Sequence, residues 1–220
     1  MSECMYDERY YQRGEELGVS CYTNYRWLED VVYPLAFRII ELLHLKENET
    51  ILDHGCSFGY LVRALRKLYR QAWGIDISSY AISQVPEDTK PYVRLVEKNM
   101  PFPPLIYANS ARVGFSSFDW ITSRDVLEHI SYENIGAEVL RIRQACRKAF
   151  IVVPLAENGK YVIEQAEHDS THIIRENATW WFNLFVACGF TVTRLSFHEY
   201  GIKSPAYDKY ERGYLYAFLE

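Results

Sequence analysis

A glycine turn between a buried strand and a helix constrains this sequence most. Residues 51–59 read ILDHGCSFG, and from Tyr60 onwards leucine and alanine recur at helical spacing, with arginine and lysine between them. Strand, glycine turn and helix form the unit of doubly wound α/β sheets, which bind ligands beyond the carboxyl ends of their strands. Glycine permits a positive φ angle and a close approach by the ligand. The sequence therefore predicts an α/β fold with a ligand site at this turn.

The spacing of Gly55 and Gly59 indicates the kind of ligand. A dinucleotide fingerprint requires G-x-G-x-x-G, but Ser57 and Tyr60 occupy its second and third glycine positions. A phosphate loop would end in Gly-Lys-Ser/Thr, which is also missing. The carboxylate of Asp53 would repel a phosphate but would accept hydrogen bonds from an ammonium group, while the free amides at the helix start suit a carboxylate. The turn therefore suits the zwitterionic group of an amino acid.

Two further segments follow the pattern of a strand that ends at a polar residue. AWGIDIS at 72–78 predicts a strand ending at Asp76, and an acid at that place can accept hydrogen bonds from both ribose hydroxyls. SSFDWITSRDVLEHI at 116–130 predicts a strand that leads into a helix. Together with ILDHGCSFG, these segments resemble the first, second and fourth strand motifs of class I S-adenosylmethionine-dependent methyltransferases. The resemblance covers roughly residues 35–220.

The resemblance implies an α/β fold with a doubly wound, Rossmann-like, seven-stranded sheet. Its strands are mostly parallel, with an antiparallel last strand inserted beside the fifth. The implied cofactor is S-adenosylmethionine, with Asp53 on the amino group, glycines at the turn and Asp76 on the ribose. The cofactor-binding residues that we expect are Asp53, Gly55, Cys56, Gly59, Asp76, Ile77, Ser110, Ala111 and Arg124.

The third strand has two possible positions in the sequence. It lies at residues 92–96 or at residues 105–108, and we favour the second position. Residues 109–115 then occupy the place of the family's GDAxxLPF, whose acid binds the adenine amino group, and Ser110 replaces that acid. In the other alignment Met100-Pro101-Phe102 matches LPF, and residues 103–117 form an insertion.

The first 33 residues are rich in tyrosine and lack clear periodicity. In many relatives such a segment folds over the cofactor, so we expect an arm or lid at 1–33 and a methyltransferase domain at 34–220, with Pro34 in the first turn of a helix. Tyr25, Arg26 and Trp27 are candidates to contact cofactor or substrate, because Arg26 can pair with a carboxylate. An ordinary surface arm is the alternative.

The segment EHDSTHII at 167–174 follows the predicted fifth strand, in a region where loops usually carry substrate residues. We predict His168, Asp169 and His172 as catalytic residues, with one imidazole as general base and Asp169 orienting it. Structural polar contacts and metal ligation are the alternatives. Nothing indicates a helix that would bring His168 and His172 onto one face, so we assign no metal site. His129 is expected to be a packed histidine.

Composition limits the class of protein. With 220 residues, 49% hydrophobic and 24% charged, the chain can form one α/β domain with a substantial core. The net charge of −5 argues against a general nucleic-acid or anionic-membrane surface, and no apolar run reaches the roughly 20 residues of a membrane span. Five scattered cysteines without C-x-x-C and a polar amino terminus favour a soluble, cytoplasmic protein.

The function that the resemblance implies is methyl transfer from S-adenosylmethionine to a hydroxyl or amine of a small-molecule acceptor. Residues 171–190 resemble the segment before the sixth strand in methyltransferases of sugar and small-molecule pathways, so a sugar or polysaccharide precursor is one candidate. We expect no nucleic-acid or membrane partner, and the oligomeric state is open. A catalytically inactive relative acting as a partner or regulator is the alternative. A nicotinamide-dependent oxidoreductase is disfavoured by the missing glycines.

Overall fold

The computed structural model describes residues 5–97, 102 and 118–220. A seven-stranded sheet with the order β3-β2-β1-β4-β5-β9-β8 lies at its centre, and a separate hairpin consists of β6 and β7. The strands are β1 (Thr50–His54), β2 (Gln71–Asp76), β3 (Val93–Leu95), β4 (Phe118–Arg124), β5 (Cys146–Pro154), β6 (Ala156–Glu157), β7 (Lys160–Tyr161), β8 (Val192–Ser196) and β9 (Tyr214–Leu219). The helices are α1 (Glu8–Leu17), α2 (Glu29–Leu42), α3 (Tyr60–Lys67), α4 (Ser79–Ser83), α5 (Ile135–Ala145), α6 (Glu164–Glu167) and α7 (Ala178–Ala187), and 3-10 turns cover Lys90–Tyr92, Leu127–His129 and Pro205–Tyr207.

The direction of the strands matches the sequence prediction. The pairs β1–β2, β1–β4, β2–β3 and β4–β5 are parallel. The last strand, β9, is antiparallel to both β5 and β8 and lies between them. The predicted Rossmann-like sheet, with an antiparallel last strand beside the fifth, is therefore confirmed.

Both faces of the sheet are buried, which explains the apolar runs of its central strands. Neighbouring residues of a strand point to opposite faces. Ile51 and Val152 pack on the side of α2 and α3, whereas Leu52 and Ile151 pack on the side of α5 and α7. Strands covered on both faces need apolar residues at every position.

The third strand is not where we favoured it. Residues Val93–Leu95 pair with β2 at the edge of the sheet, so the third strand lies in the region 92–96 that was the alternative. This strand has three residues, two of which are exposed, and it therefore lacks the apolar run that marks a central strand. The favoured residues 105–108, together with Ser110 and Ala111, lie outside the described residues.

Two helices of the amino-terminal region differ from the sequence prediction. The segment without clear periodicity contains α1, which Asp7 caps by accepting hydrogen bonds from the amides of Arg9 and Tyr10. Helix α2 begins at Glu29, so Pro34 lies within it rather than in its first turn, and the expected boundary between residues 33 and 34 falls inside a helix. Helix α2 has 14 residues, and none of the described helices is long and apolar enough to cross a membrane.

Candidate active site

A cavity of about 540 Å³ lies at the carboxyl ends of the central parallel strands. Asp53 of β1, Asp76 of β2 and Arg124 of β4 line it together, because the carboxyl ends of neighbouring parallel strands meet at one edge of the sheet. The amino-terminal segment covers the cavity with tyrosines. The cavity is therefore where the sequence predicted a ligand site.

The turn after β1 requires its glycines. Gly55 has a φ of 75°, and a Cβ atom at this position would lie 2.3 Å from Cγ2 of Val126. Gly59 has a φ of 71°, and its Cβ would lie 3.2 Å from Cγ2 of Val93. The amides of Gly55 and Cys56 both donate to the carbonyl of Ile75, which holds the turn against β2. Gly55 and Cys56 line the cavity. Gly59 belongs to the same turn but is not among the described residues that line the cavity.

Asp53 is a buried carboxyl group at the floor of the cavity, with 5% of its surface exposed. Burial raises the pKa of Asp53 to about 6, although the nearby positive charge of Arg124 opposes the shift. A carboxylate in this environment is poorly solvated and gains from a cationic partner. Asp53 is therefore suited to receive an ammonium group from a ligand.

Asp76 joins the end of β2 to the turn after β1. Its two carboxylate oxygens accept hydrogen bonds from the amides of Ser57 at 2.7 Å and Ser78 at 2.8 Å. Burial raises the pKa of Asp76, and these amide donors oppose the shift. Each carboxylate oxygen has more than one lone pair, so Asp76 can still accept from the hydroxyls of a ligand. Ile77 lines the cavity beside it.

The amino-terminal segment forms an aromatic cover. Tyr11 and Tyr25 pack their rings on Phe58, with centroid distances of 5.0 and 4.9 Å. Two of the three residues that sequence analysis considered for ligand contact, Tyr25 and Arg26, line the cavity. Trp27 instead packs against Tyr33, Tyr60 and Arg63.

The three predicted catalytic residues lie in the loop around α6, and they differ in burial. His168 is exposed at the surface. Asp169 is buried and accepts hydrogen bonds from the hydroxyl of Tyr10 at 2.8 Å and from the amide of Thr171 at 2.9 Å. The ring of His172 is nearly buried, and its Nδ1 lies 2.8 Å from the carbonyl of Ala166. None of the three is among the described residues that line the cavity.

Glu128 and His129 lie in the 3-10 turn that follows β4, next to the loop around α6. Sequence analysis had treated His129 only as a packed residue. His129 lines the cavity, its Nδ1 lies 2.7 Å from Oγ1 of Thr171, and its ring centroid is 4.6 Å from that of His172. Glu128 is fully buried, and within the described part of the chain neither of its carboxylate oxygens has a hydrogen-bond partner. His129 and Thr171 are 42 positions apart in the sequence, so no local pattern could have predicted this contact.

Burial shifts the pKa values of Glu128, His129 and His172. It lowers the pKa of His129 to about 4, assisted by the neighbouring His172. Burial also lowers the pKa of His172, although Asp169 opposes the shift. For Glu128, burial and the charge of Asp125 raise the pKa well above its usual range. Burial therefore favours the neutral form of both imidazoles and of the Glu128 carboxyl group.

A second polar group on the cavity wall was not predicted from the sequence. Nε2 of His54 lies 2.8 Å from Oε1 of Glu138, which also accepts from Arg141 at 2.6 Å, and Nδ1 of His54 lies 3.0 Å from Oγ of Ser123. Burial tends to raise the pKa of Glu138, but the hydrogen bonds from His54 and Arg141 outweigh it and lower the pKa. These paired groups form a rigid wall of the cavity.

Comparisons with known proteins agree with this geometry. The family model of the methyltransferase domain matches residues 27–198. No curated protein sequence matches the chain. Solved structures resemble it in fold. The Haloferax volcanii methyltransferase in complex with the Trm112 activator has 16% identity and a TM-score of 0.63, covering 87% of this chain and 90% of that one.

Two enzymes with bound S-adenosylhomocysteine are similar in fold to the same degree. The 1,6-didemethyltoxoflavin-N1-methyltransferase of Burkholderia thailandensis has 16% identity and a TM-score of 0.59, covering 96% of this chain and 83% of that one. The magnesium protoporphyrin IX methyltransferase of Synechocystis PCC 6803 has 12% identity and a TM-score of 0.60, covering 96% of both chains. The family model, which spans most of the sequence, shows that the chain belongs to the methyltransferase-domain family of class I S-adenosylmethionine-dependent methyltransferases.

Proposed function

We propose that this chain transfers the methyl group of S-adenosylmethionine to a hydroxyl or amine of a small molecule that enters the cavity next to His129. One observation carries the proposal. The residues of the expected cofactor site, Asp53, Gly55 and Asp76, and the imidazole of His129 line the same cavity. We call the first three residues the cofactor wall. A cofactor on this wall would present its methyl group to an acceptor on the other side.

The cofactor wall fits the chemical groups of S-adenosylmethionine. The buried carboxyl of Asp53 would accept hydrogen bonds from the ammonium of the methionine part, and Gly55 leaves room for its close approach. The remaining lone pairs of Asp76 would accept the ribose hydroxyls. Arg124 is a candidate for the methionine carboxylate, since its side chain lines the cavity beside Asp53.

Positioning is the main contribution of the chain to methyl transfer. The bound cofactor supplies an already activated methyl group, and alignment of the two reactants can lower the barrier by about 7–11 kcal/mol. The tyrosine cover formed by Tyr11, Tyr25 and their neighbours limits the access of water on one side of the cavity. An acceptor amine needs little further help, whereas a hydroxyl must also lose its proton.

We assign the acceptor side of the cavity to His129 and its partners Thr171, Asp169 and His172. Thr171 donates its hydroxyl hydrogen to Asp169 and can accept from Nδ1 of His129, so the chain of hydrogen bonds orients the imidazole. His168 is exposed, and in this proposal it has no part in the reaction. A small polar acceptor with a flat apolar face, such as a sugar, suits a cavity with both carboxylates and tyrosine rings.

Calorimetry and product analysis test the proposal. S-Adenosylmethionine and S-adenosylhomocysteine should bind and stabilise the fold against heat, and NADH should not. Asp76→Ala should weaken both ligands alike, because the ribose is common to them. Labelled S-adenosylmethionine with pools of sugars, hydroxylated metabolites and amines should yield a labelled product. Binding of S-adenosylmethionine without any methylated product would favour a non-catalytic partner or regulator.

A further inference from the structure

The fully buried carboxyl group of Glu128 needs an explanation. Its exposure is 0%, and neither carboxylate oxygen has a hydrogen-bond partner among the residues that the structure describes. A buried carboxyl group without partners costs the fold free energy that a proton recovers only in part. Two imidazoles, those of His129 and His172, lie beside it, and the ligand atoms of all three side chains are within 4.8 Å of one another.

We propose that Glu128, His129 and His172 bind one divalent first-row transition-metal ion on the wall of the cavity. We call these three residues the Glu-His cluster. Two imidazoles and one carboxylate are a donor set that suits Zn²⁺, Mn²⁺ or Co²⁺. This set differs from His168, Asp169 and His172, for which sequence analysis considered metal ligation as an alternative and assigned no metal site. His168 is exposed, and Asp169 is engaged with Tyr10 and Thr171.

The hydrogen bonds of the two histidines prepare them for metal binding. The carbonyl of Ala166 can only accept, so Nδ1 of His172 carries the ring hydrogen and Nε2 keeps its lone pair. Nε2 of His172 lies 3.9 Å from Oε1 of Glu128. Thr171 gives its hydrogen to Asp169 and therefore accepts from Nδ1 of His129, which frees Nε2 of that ring in the same way. Partners of this kind fix the tautomer and the orientation of metal-binding histidines.

Neighbouring negative charge also favours a cation here. Asp125 and Asp169 add negative charge near the cluster, while Lys203, which pairs with Asp125, and Arg175 are cations near it. A bound ion would give the buried carboxylate oxygens of Glu128 the partner that they lack among the described residues.

The location of the Glu-His cluster gives the ion a role, and this part rests on the proposed function. His129 lines the cavity, so an acceptor hydroxyl can become a further ligand of the ion. Coordination lowers the pKa of the hydroxyl, and its proton leaves to water. The oxygen then forms a bond to the methyl carbon while the carbon–sulfur bond breaks and its electron pair stays on sulfur. The preferred acceptors are therefore hydroxyl compounds rather than amines.

Cobalt titration of the metal-free protein tests the site without any methyl transfer. Co²⁺ should bind with one ion per chain, and its visible absorption should report nitrogen and oxygen ligands, which distinguishes this site from the thiol of the exposed Cys21. Glu128→Gln, His129→Gln and His172→Gln should each weaken Co²⁺ binding at least about tenfold. His168→Gln, in the same loop but exposed, is the matched control and should bind Co²⁺ like the wild type.

Folding is monitored by affinity for S-adenosylhomocysteine, which should stay within about twofold in all four variants. Glu128→Gln should fold, because the amide has the shape and the neutrality of the protonated carboxyl group. No stoichiometric Co²⁺ binding by the wild type would overturn the proposal, as would equal losses in His168→Gln and His172→Gln, or wild-type Co²⁺ affinity in His172→Gln. If Co²⁺ binds as expected but only amines are methylated, the site stands and the role given to the ion fails. If Co²⁺ binds as expected and no acceptor is methylated, the site stands and the proposed function fails.

Discussion

The cofactor wall lines the cavity, and the Glu-His cluster reaches the same cavity through His129, but the two are built in opposite ways. The cofactor wall comes from residues 53–76, a single unit of strand, turn, helix and strand, and the amides of Ser57 and Ser78 bond to its Asp76. The Glu-His cluster combines the 3-10 turn after β4 with the loop around α6, and its carboxyl group has no hydrogen-bond partner in the described chain. The local unit bonds to its own backbone, whereas this cluster of distant segments leaves polar atoms available for a ligand.

The largest expected effect is a difference in turnover between variants of two histidines in the same loop, His172 and His168. His172→Gln should lower turnover by roughly 10²–10⁴-fold, because it removes a group that prepares the acceptor, while the affinity for S-adenosylmethionine stays nearly unchanged. His168→Gln should have little effect on turnover, since that side chain is exposed and does not line the cavity. Turnover and calorimetry on both variants check this. Full activity in His172→Gln would remove the loop from the mechanism.

A change in the turn should act on the cofactor and not on the acceptor. Gly55→Val should weaken S-adenosylmethionine binding by about 100-fold, or ~2.7 kcal/mol, because a side chain there meets Val126 and requires a positive φ. Gly159→Val is the matched control, with a φ of 74° and nothing within 4 Å of its Cβ. Calorimetry on folded variants should show normal affinity for the control. Equal losses in the two variants would mean that strain alone, and not the turn, reduces affinity.

The pH dependence of cofactor binding should reveal Asp53. Its pKa of about 6 in the free protein means that the carboxyl group is mostly protonated at acidic pH and then no longer attracts an ammonium. Affinity for S-adenosylmethionine should therefore fall about tenfold between about pH 8 and pH 5. Asp53→Asn should bind weakly at both pH values and lose this dependence.

The same variant tests the cost of the buried charge. Because the folded-state pKa of Asp53 lies above its ordinary value, the ionised group destabilises the fold as pH rises through about 6. Asp53→Asn should accordingly raise the melting temperature at neutral pH while it weakens cofactor binding. A lower melting temperature would mean that Asp53 contributes to stability instead.

The smallest effect should concern the contact between the tyrosine cover and the loop. The hydroxyl of Tyr10 donates to Asp169 in a buried hydrogen bond of 2.8 Å. Tyr10→Phe should reduce the free energy of unfolding by about 1–3 kcal/mol, since it leaves a buried acceptor with one partner fewer. Chemical denaturation measures this, with the exposed Tyr200 changed to Phe as control. If both variants were equally stable, the cover would not depend on this bond.

The sequence predictions divide in the same way, between local units and contacts that join distant segments. The residues around ILDHGCSFG and Asp76 predicted the strands, turn and helix that form one wall of the cavity, because each of these elements has its pattern within a few neighbouring residues. The three-residue edge strand β3 was misplaced, since an exposed edge has no apolar run. His54 with Glu138, and Glu128 with His172, were not predicted as pairs because their partners are far apart in the chain.

The sequence by itself determined the parallel α/β fold and the glycine turn that we propose binds the cofactor. Buried central strands must be apolar throughout, and a turn with positive φ angles must have glycine, so both constraints are written in local residue types. Only the tertiary structure decided which histidine of the loop lies against His129, next to the cavity. His168 and His172 are nearly equivalent in the sequence, but packing against Glu128 and His129 buries one ring while the other stays in solvent. Burial, and with it pKa and access to ligands, depends on contacts between distant segments, which residue type alone does not specify.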